Sequence, residues 1–503
     1  MRPETFRSLT FGGAIRAAAA RDPTKIAMIM GERTTSFAAL ATRMNRLRDA
    51  AVAQGVRKGD VAAIVARNCP EFIEVVAGLP EAGAMVATIN PRLTAGEVRQ
   101  TLEDCGARLV FVDPVSKALV EETGLPGLTV VAFGDDYERL LADPPADVPL
   151  PQIEEWDGWT LPYTSGTTGK PKGVVLSHRS RMLLGLICAA EFGCFGPDDR
   201  FLCISPFNHG GGMGFPASAL AAGGSIEILD KFEPELVLER LKCGGITGTF
   251  MVPTHFQMIF ALPAETLARY ERPPIKTILA NAAPLPQAMK ERIIPYFGET
   301  VLHELYAATE TGLVCNLRPK DQLRKLSCVG TPFPHVEAEV RREDGRVCEA
   351  NEVGELWCRN PVLFSGYWNR PEETAAAVRG GWVSVGDMAR RDAEGFLYIV
   401  DRKKDMVISG GVNIYPREIE EVLFAHPQVA DVAVVGIPDE TWGERLKAFV
   451  VPREPGLTAE ALSTFCAGKI APFKIPRELA LIDVLPRNAN GKVLKTELRK
   501  AHA

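Results

Sequence analysis

Short apolar runs alternate with helix-like segments through most of the N-terminal four-fifths of the chain, and this alternation constrains the fold more than any other feature. The runs are VAAIVA (61–66), RLVFV (108–112), FLCIS (201–205), TGTFMV (247–252) and KTILA (276–280). Between them, segments such as 71–84 and 234–243 carry apolar residues at helical spacing. Short apolar strands separated by helices predict mostly parallel sheets that are covered by helices.

The pattern changes after about residue 335 to short strands with turns, which predicts a small β-rich subdomain. The final hundred residues predict a small α+β mixture: a helix from Pro416, strands at 429–436 and 446–452, a helix from Thr458 and a strand at 478–482. A charged DRKKD stretch at 401–405 interrupts the apolar periodicity, and 503 residues exceed one ordinary core. We therefore predict an α/β protein with a large N-terminal domain, residues 1–401, and a small α+β C-terminal domain, residues 402–503.

Composition excludes several classes of protein. A formal charge of −6 argues against nucleic acid as the main partner. The eleven cysteines form no CxxC pair, which indicates reduced thiols and neither a disulfide framework nor a zinc site. No stretch approaches the ~18 apolar residues of a membrane span, and the N-terminus lacks the apolar core of a signal peptide. We expect a cytoplasmic protein without a transmembrane segment; its oligomeric state, a homodimer included, stays open.

The segment YTSGTTGKPKG at 163–173 carries the clearest chemical signal. A phosphate chain needs many donors at close range, which favours glycines for backbone approach and hydroxyl and ammonium groups as further donors. The segment is not GxxxxGK[ST], so the geometry of the Walker loop does not apply. The groups suited to phosphate are Thr164, Ser165, Gly166, Thr167, Thr168, Gly169 and Lys170.

YTSGTTGKPKG resembles the phosphate loop of the acyl-adenylate-forming superfamily, which includes acyl-CoA synthetases, adenylation domains of peptide synthetases and luciferases. Further stretches match in the family's order: ANAAPLP (280–286), YAATE (306–310), GWVSVGD (381–387), DRKKDMVISGGVNIYPREIE (401–420) and PRNANGKVLK (486–495). The resemblance therefore covers nearly the whole chain. It implies a mobile C-terminal domain that rotates between two half-reactions about a hinge near Lys404.

The resemblance also implies the nucleotide site. Tyr306 is suited to stack on adenine, Thr309 to bind the α-phosphate, and Asp387 to accept bonds from the ribose hydroxyls. This chain departs from the family's pattern at two places. It has Ala307, and it has Asn281–Ala282, where the family commonly has glycine. The remaining implied nucleotide contacts are Ala283, Arg402 and Lys492.

Four residues are implied to be catalytic: Lys492, Thr168, His209 and Glu310. Lys492 is the cation that bridges the attacking carboxylate and the α-phosphate. Glu310 and Thr168 are oxygen ligands suited to Mg²⁺, and His209 takes the gate position of the acyl pocket. For coenzyme A, the resemblance implies the hinge residue Lys404, a pantetheine path at Gly410 and Gly411, and Trp442.

The predicted activity is that of an ATP-dependent carboxylate–CoA ligase that uses a small carboxylic acid, ATP and coenzyme A. The candidate acyl wall contains no lysine or arginine and consists of Phe207, Met213, Phe250, Pro253, Gln257, Ala280 and Leu313. The glycines at 210–212 suggest an open wall, which favours a medium- or long-chain fatty acid. The alternatives are an aryl acid of the benzoate or cinnamate type and an adenylation enzyme that loads a carrier protein. A catalytically inactive nucleotide-binding scaffold is disfavoured by the intact set of candidate catalytic groups.

Overall fold

The computed structural model describes residues 8–142, 149–165, 171–487 and 493–500, without the side chain of Ser165. The chain divides into two compact units. The large unit contains residues 1–337 and 358–383, and the small unit contains residues 338–357 and 384–503. Among the described helices, none is long and apolar enough to cross a membrane.

The first 142 residues contribute helices and parallel strands of the large unit. Val61–Val65 and its neighbours in the sheet are almost fully buried, as the apolar run predicts. The elements are α1 (Phe11–Arg21), β1 (Ile26–Met30), β2 (Arg33–Ser36), α2 (Phe37–Ala53), β3 (Val61–Val65), α3 (Pro70–Gly78), β4 (Met85–Ile89), α4 (Ala95–Cys105), β5 (Leu109–Val112), α5 (Lys117–Glu122), β6 (Thr129–Ala132) and α6 (Asp135–Ala142).

The helix expected over 71–84 is shorter than predicted. It ends at Gly78, and a 3₁₀ turn follows over Leu79–Ala82. Pro80 cannot donate a backbone hydrogen bond to a continuing helix, and Gly83 then reverses the chain with φ 92°. Strand β4 then begins at Met85.

The middle of the chain holds the remaining elements of the large unit up to residue 332, followed later by a short segment at 366–383. They are β7 (Gly158–Thr160), β8 (Tyr163–Ser165), β9 (Pro171–Ser177), α7 (His178–Phe192), β10 (Arg200–Cys203), α8 (Gly210–Ala221), β11 (Ser225–Ile228), α9 (Pro234–Cys243), β12 (Gly248–Met251), α10 (Pro253–Phe260), α11 (Ala264–Tyr270), β13 (Thr277–Ala280), α12 (Gln287–Phe297), β14 (Leu302–Ala308), β15 (Gly312–Leu317) and β16 (Thr331–Pro332).

Two large sheets organise these elements. The nine-stranded sheet has the order β16-β15-β14-β13-β12-β10-β11-β1-β2, and its central strands from β1 to β14 run parallel. In the second sheet, β6-β5-β3-β4-β7 are parallel, and β9 joins β7 in antiparallel orientation. The predicted class, mostly parallel sheets covered by helices, is confirmed.

The small unit is rich in antiparallel strands. The elements from residue 337 onward are β17 (Glu337–Arg341), β18 (Gly354–Arg359), β19 (Gly366–Tyr367), α13 (Pro371–Ala377), β20 (Val378–Arg379), β21 (Trp382–Val383), β22 (Asp387–Arg391), β23 (Leu397–Arg402), β24 (Val407–Ser409), β25 (Val412–Ile414), α14 (Pro416–Phe424), β26 (Val429–Asp439), β27 (Gly443–Pro452), α15 (Ala459–Cys466), β28 (Glu478–Leu481) and α16 (Lys495–Lys500). Of these, β19 to β21 and α13 belong to the large unit. The predicted C-terminal α+β mixture is confirmed, with β26 and β27 forming its longest hairpin.

Candidate active site

Four neighbouring parallel strands of the nine-stranded sheet, β10, β12, β13 and β14, end at the same edge. Ligands of open α/β sheets bind in the crevice outside the carboxyl ends of such strands. The residues that follow β10, β13 and β14 are the segments 205–209, 281–283 and 309–310. The topology therefore brings together three parts that are far apart in sequence: His209, the YAATE segment, and residues 281–286, which the resemblance assigns to adenine and which are called the adenine segment below.

The turn between β14 and β15 holds Glu310 in a fixed position. The carboxylate is buried, and its Oε1 accepts a hydrogen bond from the Tyr367 hydroxyl at 2.8 Å. The backbone of the turn is held as well, since Phe364 N–H donates to the carbonyl of Glu310 and Asn360 Nδ2 donates to that of Thr311. A charged group that is fixed and sheltered from water interacts strongly with a ligand charge.

This arrangement fits Mg²⁺. The ion is usually held by one or two carboxylates together with substrate phosphates and water. No ion pair joins Glu310 to a described lysine or arginine, and only Oε1 is engaged by Tyr367. Within the described ranges, no group of three or more His, Cys, Asp or Glu side chains could hold a metal ion by itself. A metal held by Glu310 would therefore share it with further oxygens, such as those of substrate phosphates and of water.

Helix α8 begins beside Thr309. His209 is its N-cap, half-buried, with the Nδ2 of Asn208 at 3.4 Å from its Nδ1. A Cβ at Gly210 would lie 3.9 Å from Thr309 Oγ1. The first N–H groups of a helix carry a partial positive charge, so this end of α8 faces the hydroxyl that is predicted to bind the α-phosphate.

The adenine segment leaves β13 in a strained conformation. Ala282 has φ 78°, and its N–H donates to Asn281 Oδ1. Ala282 and Ala283 are exposed, whereas Tyr306 and Ala307 are half-buried on β14. The positive φ explains why the family commonly has glycine at this position.

The phosphate segment is described only at its borders. Strands β8 and β9 form a hairpin in which Thr164 pairs with Lys172. The hydroxyl of Tyr163 donates to Asp104 Oδ2 at 2.8 Å, and burial raises the pKa of Tyr163. The predicted contacts Gly166, Thr167, Thr168, Gly169 and Lys170, and also Lys492, lie outside the described residues.

In the small unit, Asp387 and Arg402 are brought together. They face each other across β22 and β23, and Arg402 Nε lies 3.2 Å from Asp387 Oδ1. Asp387 is almost fully buried. Lys404 follows in an exposed turn, in which the N–H groups of Asp405 and Met406 donate to the carbonyl of Arg402.

Gly410, Gly411 and Trp442 also lie together in the small unit. Both glycines have positive φ, 59° and 79°. Gly410 N–H donates to the carbonyl of Trp442 at 2.8 Å, and a Cβ at Gly410 would lie 2.7 Å from the indole. The indole is 42% exposed and carries the Arg477 guanidinium 5.0 Å above its ring. Positive φ therefore favours glycine at both positions, and at Gly410 the neighbouring indole also leaves no room for a Cβ.

The candidate acyl wall differs from the sequence prediction. Its apolar members Phe207, Met213, Phe250, Ala280 and Leu313 are buried. The glycines, however, do not form an open wall. A Cβ at Gly211 would lie 2.9 Å from the Phe250 ring, and one at Gly212 would lie 1.9 Å from the carbonyl oxygen of Pro206.

The interpretation of these glycines as open space is therefore wrong at 211 and 212. Gly211 accommodates an aromatic ring, and Gly212 lets the helix approach the preceding backbone. Gln257 is exposed on α10 and lies apart from the buried set, while Pro253 is buried. Among the glycines at 210–212, a Cβ at Gly210 alone would meet its nearest neighbour at an ordinary van der Waals distance, 3.9 Å.

Sequence reasoning missed Tyr367. It lies 57 residues after Glu310 in the chain, on the two-residue strand β19, which pairs with β9. Its ring also lies 5.2 Å from the ammonium of Lys172, at the end of the phosphate segment. A local motif gives no sign of this contact, because it depends on the pairing of strands from distant parts of the sequence.

Comparison with known proteins agrees with this geometry. Residues 15–368 match the AMP-binding enzyme family, and residues 418–492 match its C-terminal domain. An indoleacetate–CoA ligase of Aromatoleum aromaticum is 34% identical, with 95% of each chain covered. A long-chain-fatty-acid–CoA ligase of Mycobacterium tuberculosis is also 34% identical, with 93% of each covered.

A solved structure extends the comparison. The o-succinylbenzoate CoA synthetase of Bacillus subtilis, in complex with its acyl-adenylate intermediate, superposes with a TM-score of 0.87 at 30% identity and covers 97% of each chain. The match spans both units of the present chain. The chain belongs to the AMP-binding enzymes of the acyl-adenylate-forming superfamily, and it is an enzyme of the AMP-forming acyl-CoA synthetase type.

Proposed function

We propose that the chain joins an apolar monocarboxylic acid to coenzyme A in two steps, through an acyl-adenylate. The observation that carries this proposal is the buried Glu310 carboxylate, fixed by Tyr367 beside the start of α8 and the adenine segment. We assign to these groups the place where the triphosphate and the carboxylate meet. Membership of the AMP-binding enzymes supports the same reaction.

In the first step, a carboxylate oxygen of the acid attacks the α-phosphorus of ATP. The bond from the α-phosphorus to the bridging oxygen breaks, and pyrophosphate leaves. Two anions approach each other, so positive groups are needed between them. We assign Lys492 as the approaching cation, Thr309 as an α-phosphate donor, and Glu310 with Thr168 as metal ligands. Bound Mg²⁺ would neutralise phosphate charge there.

In the second step, the sulfur of coenzyme A attacks the acyl carbon, its proton passes to solvent, and AMP leaves. The Asp387–Arg402 pair is assigned to the ribose and phosphate of the nucleotide. Lys404 is assigned as the hinge between the steps, and His209 as the gate of the acyl pocket. Gly410, Gly411 and Trp442 are assigned to coenzyme A.

For the acid, we propose a medium- or long-chain fatty acid. Phe207, Met213 and Leu313 give an apolar, buried lining without a cation for a second carboxylate. Each methylene buried there contributes about 0.8 kcal/mol. Because neighbours occupy the Cβ positions of Gly211 and Gly212, these two glycines add no space for a longer chain.

An aryl acid is the second candidate, and one observation favours it. The Phe250 ring lies against Gly211, and its centroid is 5.2 Å from that of the Phe215 ring with the planes tilted by 44°, so two aromatic rings stand side by side at the candidate acyl wall. Aromatic rings pack well on such walls. Relatives that act on indoleacetate and on fatty acids are about equally similar to this chain.

A panel of acids tests both proposals. Aliphatic acids from C2 to C18, benzoates and cinnamates are compared by ATP–pyrophosphate exchange and by coenzyme A-dependent formation of AMP. We expect exchange without coenzyme A, and kcat/KM that rises with chain length to an optimum. A preference for compact aryl acids would replace the fatty acid by the second candidate. Absence of exchange with every acid would contradict adenylation itself.

A further inference from the structure

A lysine is enclosed in the large unit behind the adenine segment. Lys290 on α12 is 1% exposed, and its ammonium forms an ion pair with Glu304 on β14, which is 6% exposed. A buried charge is costly unless it is paired and hydrogen-bonded, and apolar residues could replace such a pair with little loss of stability. The pair therefore points to a role besides stability.

The carboxylate of Glu304 also holds the adenine segment. Its Oε2 contacts Lys290, while its Oε1 accepts the backbone N–H of Leu285 at 3.3 Å. Leu285 is the buried residue of the segment 281–286, whose other central residues are exposed. One carboxylate thus connects the segment to β14.

Glu304 lies near the start of the segment 281–286, and Lys290 lies near its end. The segment leaves β13 at Ala280, which pairs in register with Glu304, and it enters α12, which carries Lys290. Ala282 within it has φ 78°, which a residue with a Cβ rarely adopts. A strained segment keeps such a conformation only when its surroundings hold it, and Glu304 provides one such contact.

We propose that Lys290 and Glu304 are positioning residues that hold the segment 281–286 in the conformation that receives the base of the nucleotide. Lys290 fixes the carboxylate, and the carboxylate fixes the N–H of Leu285. The inference rests on the proposed function, since it assigns this segment to the nucleotide. Neither residue touches the reacting atoms.

Two double variants separate the hydrogen bond from the charge. Lys290→Met with Glu304→Gln removes both charges but keeps an amide oxygen for the N–H of Leu285. Lys290→Met with Glu304→Leu removes the acceptor as well. Neither variant leaves a buried unpaired charge, so both are expected to fold. The binding of AMP and of inorganic pyrophosphate is measured by calorimetry, and KM is measured for ATP and for the acid.

We expect the Gln variant to bind AMP within about threefold of wild type, and the Leu variant to bind it roughly tenfold or more weakly, because a small displacement of a binding segment is costly. KM for ATP should follow the same order. Pyrophosphate binding and KM for the acid should not change. Equal AMP affinity in the two variants would overturn the proposal, and so would an equal loss of AMP and pyrophosphate binding.

A matched control breaks a buried pair elsewhere in the same unit. Glu227 is 3% exposed and is bound by Arg240, so Arg240→Met removes a cation from a buried carboxylate far from the adenine segment in sequence. It should lower stability but leave AMP affinity unchanged; a loss of affinity like that of the Leu variant would overturn the proposal. Wild-type enzyme that binds AMP but adenylates no acid would contradict the proposed function alone.

Discussion

The turn that carries Glu310 in the large unit and the turns at Lys404 and at Gly410–Gly411 in the small unit are built differently. In the large unit, Glu310 is buried in a turn whose side chain and backbone are both held by hydrogen bonds. In the small unit, Lys404, Gly410 and Gly411 are exposed, and both glycines have positive φ. Fixed, sheltered groups suit the stabilisation of charge, whereas an exposed turn can absorb a change of dihedral angles. Apart from the Asp387–Arg402 pair and Lys492, the comparison assigns fixed charge-stabilising groups to the large unit and the turn that can change its dihedral angles to the small unit.

The largest expected effect comes from Lys492→Ala. If Lys492 supplies its charge only while carboxylate and α-phosphate meet, adenylation should fall by about 10²–10³, or ~2.7–4 kcal/mol. Conversion of supplied acyl-adenylate and coenzyme A to thioester should remain. The two half-reactions are measured separately, with Lys469→Ala, an exposed lysine of the small unit, as control. An equal loss in both half-reactions would contradict the assignment of Lys492 to adenylation alone.

Lys404→Pro tests the other side of the comparison. Proline fixes φ near −65° and restricts the preceding residue. The backbone hydrogen bonds of this turn, which Asp405 and Met406 donate, are not removed by the substitution. We expect adenylation to persist and thioester formation to fall by about 10²-fold, since small errors of placement have effects of that size. Thioester formation at the wild-type rate would place the hinge elsewhere.

Tyr367→Phe tests whether the fixed position of Glu310 matters. The variant loses the 2.8 Å hydrogen bond to the carboxylate. A hydrogen bond to a charged group contributes about 1.5–3 kcal/mol. We expect adenylation to need more Mg²⁺, with KM for the acid unchanged, as read from a Mg²⁺ titration of ATP–pyrophosphate exchange. Tyr398→Phe removes a comparable bond to Asp392 in the small unit and should leave this titration unchanged.

Variants of two glycines of α8 compare a position that is closely packed with one that has room for a Cβ. Gly212→Ala would place a Cβ 1.9 Å from the carbonyl oxygen of Pro206, so we expect a loss of about 1–3 kcal/mol in the free energy of unfolding. Gly210→Ala meets nothing closer than 3.9 Å and should be neutral or slightly stabilising. Thermal denaturation of the two variants distinguishes the cases. Similar melting temperatures would mean that the backbone at Gly212 yields easily.

These glycines also show where sequence reasoning stops. The strands at 61–65 and 277–280 could be predicted, because their apolar residues record burial locally. A glycine in the sequence shows only that a side chain is absent. Its presence is compatible with open space and with close contact alike, so it predicts neither. At Gly212 the carbonyl oxygen of Pro206 leaves no room for a side chain. At Glu310 the hydroxyl that donates to the carboxylate belongs to Tyr367, on a strand that is distant in sequence. Such contacts depend on the assembled sheets, which local patterns do not specify.

The smallest expected effect comes from Ala282→Gly. This variant tests whether the segment 281–286 contains backbone strain that the glycines of the small unit avoid. At φ 78° a Cβ costs about 1–2 kcal/mol, whereas glycine makes the unfolded chain freer by about 0.5–1 kcal/mol. The difference predicts a stabilisation of at most about 1.5 kcal/mol. Ala283 does not have a positive φ, so Ala283→Gly should instead destabilise by about 0.5–1 kcal/mol. Chemical denaturation of both variants measures the contrast, and KM for ATP should stay within about twofold if neighbouring contacts such as that of Glu304 hold the segment. If Ala282→Gly instead raises KM for ATP as strongly as loss of the Glu304 acceptor, the alanine itself, through its restricted backbone, contributes to holding the nucleotide segment.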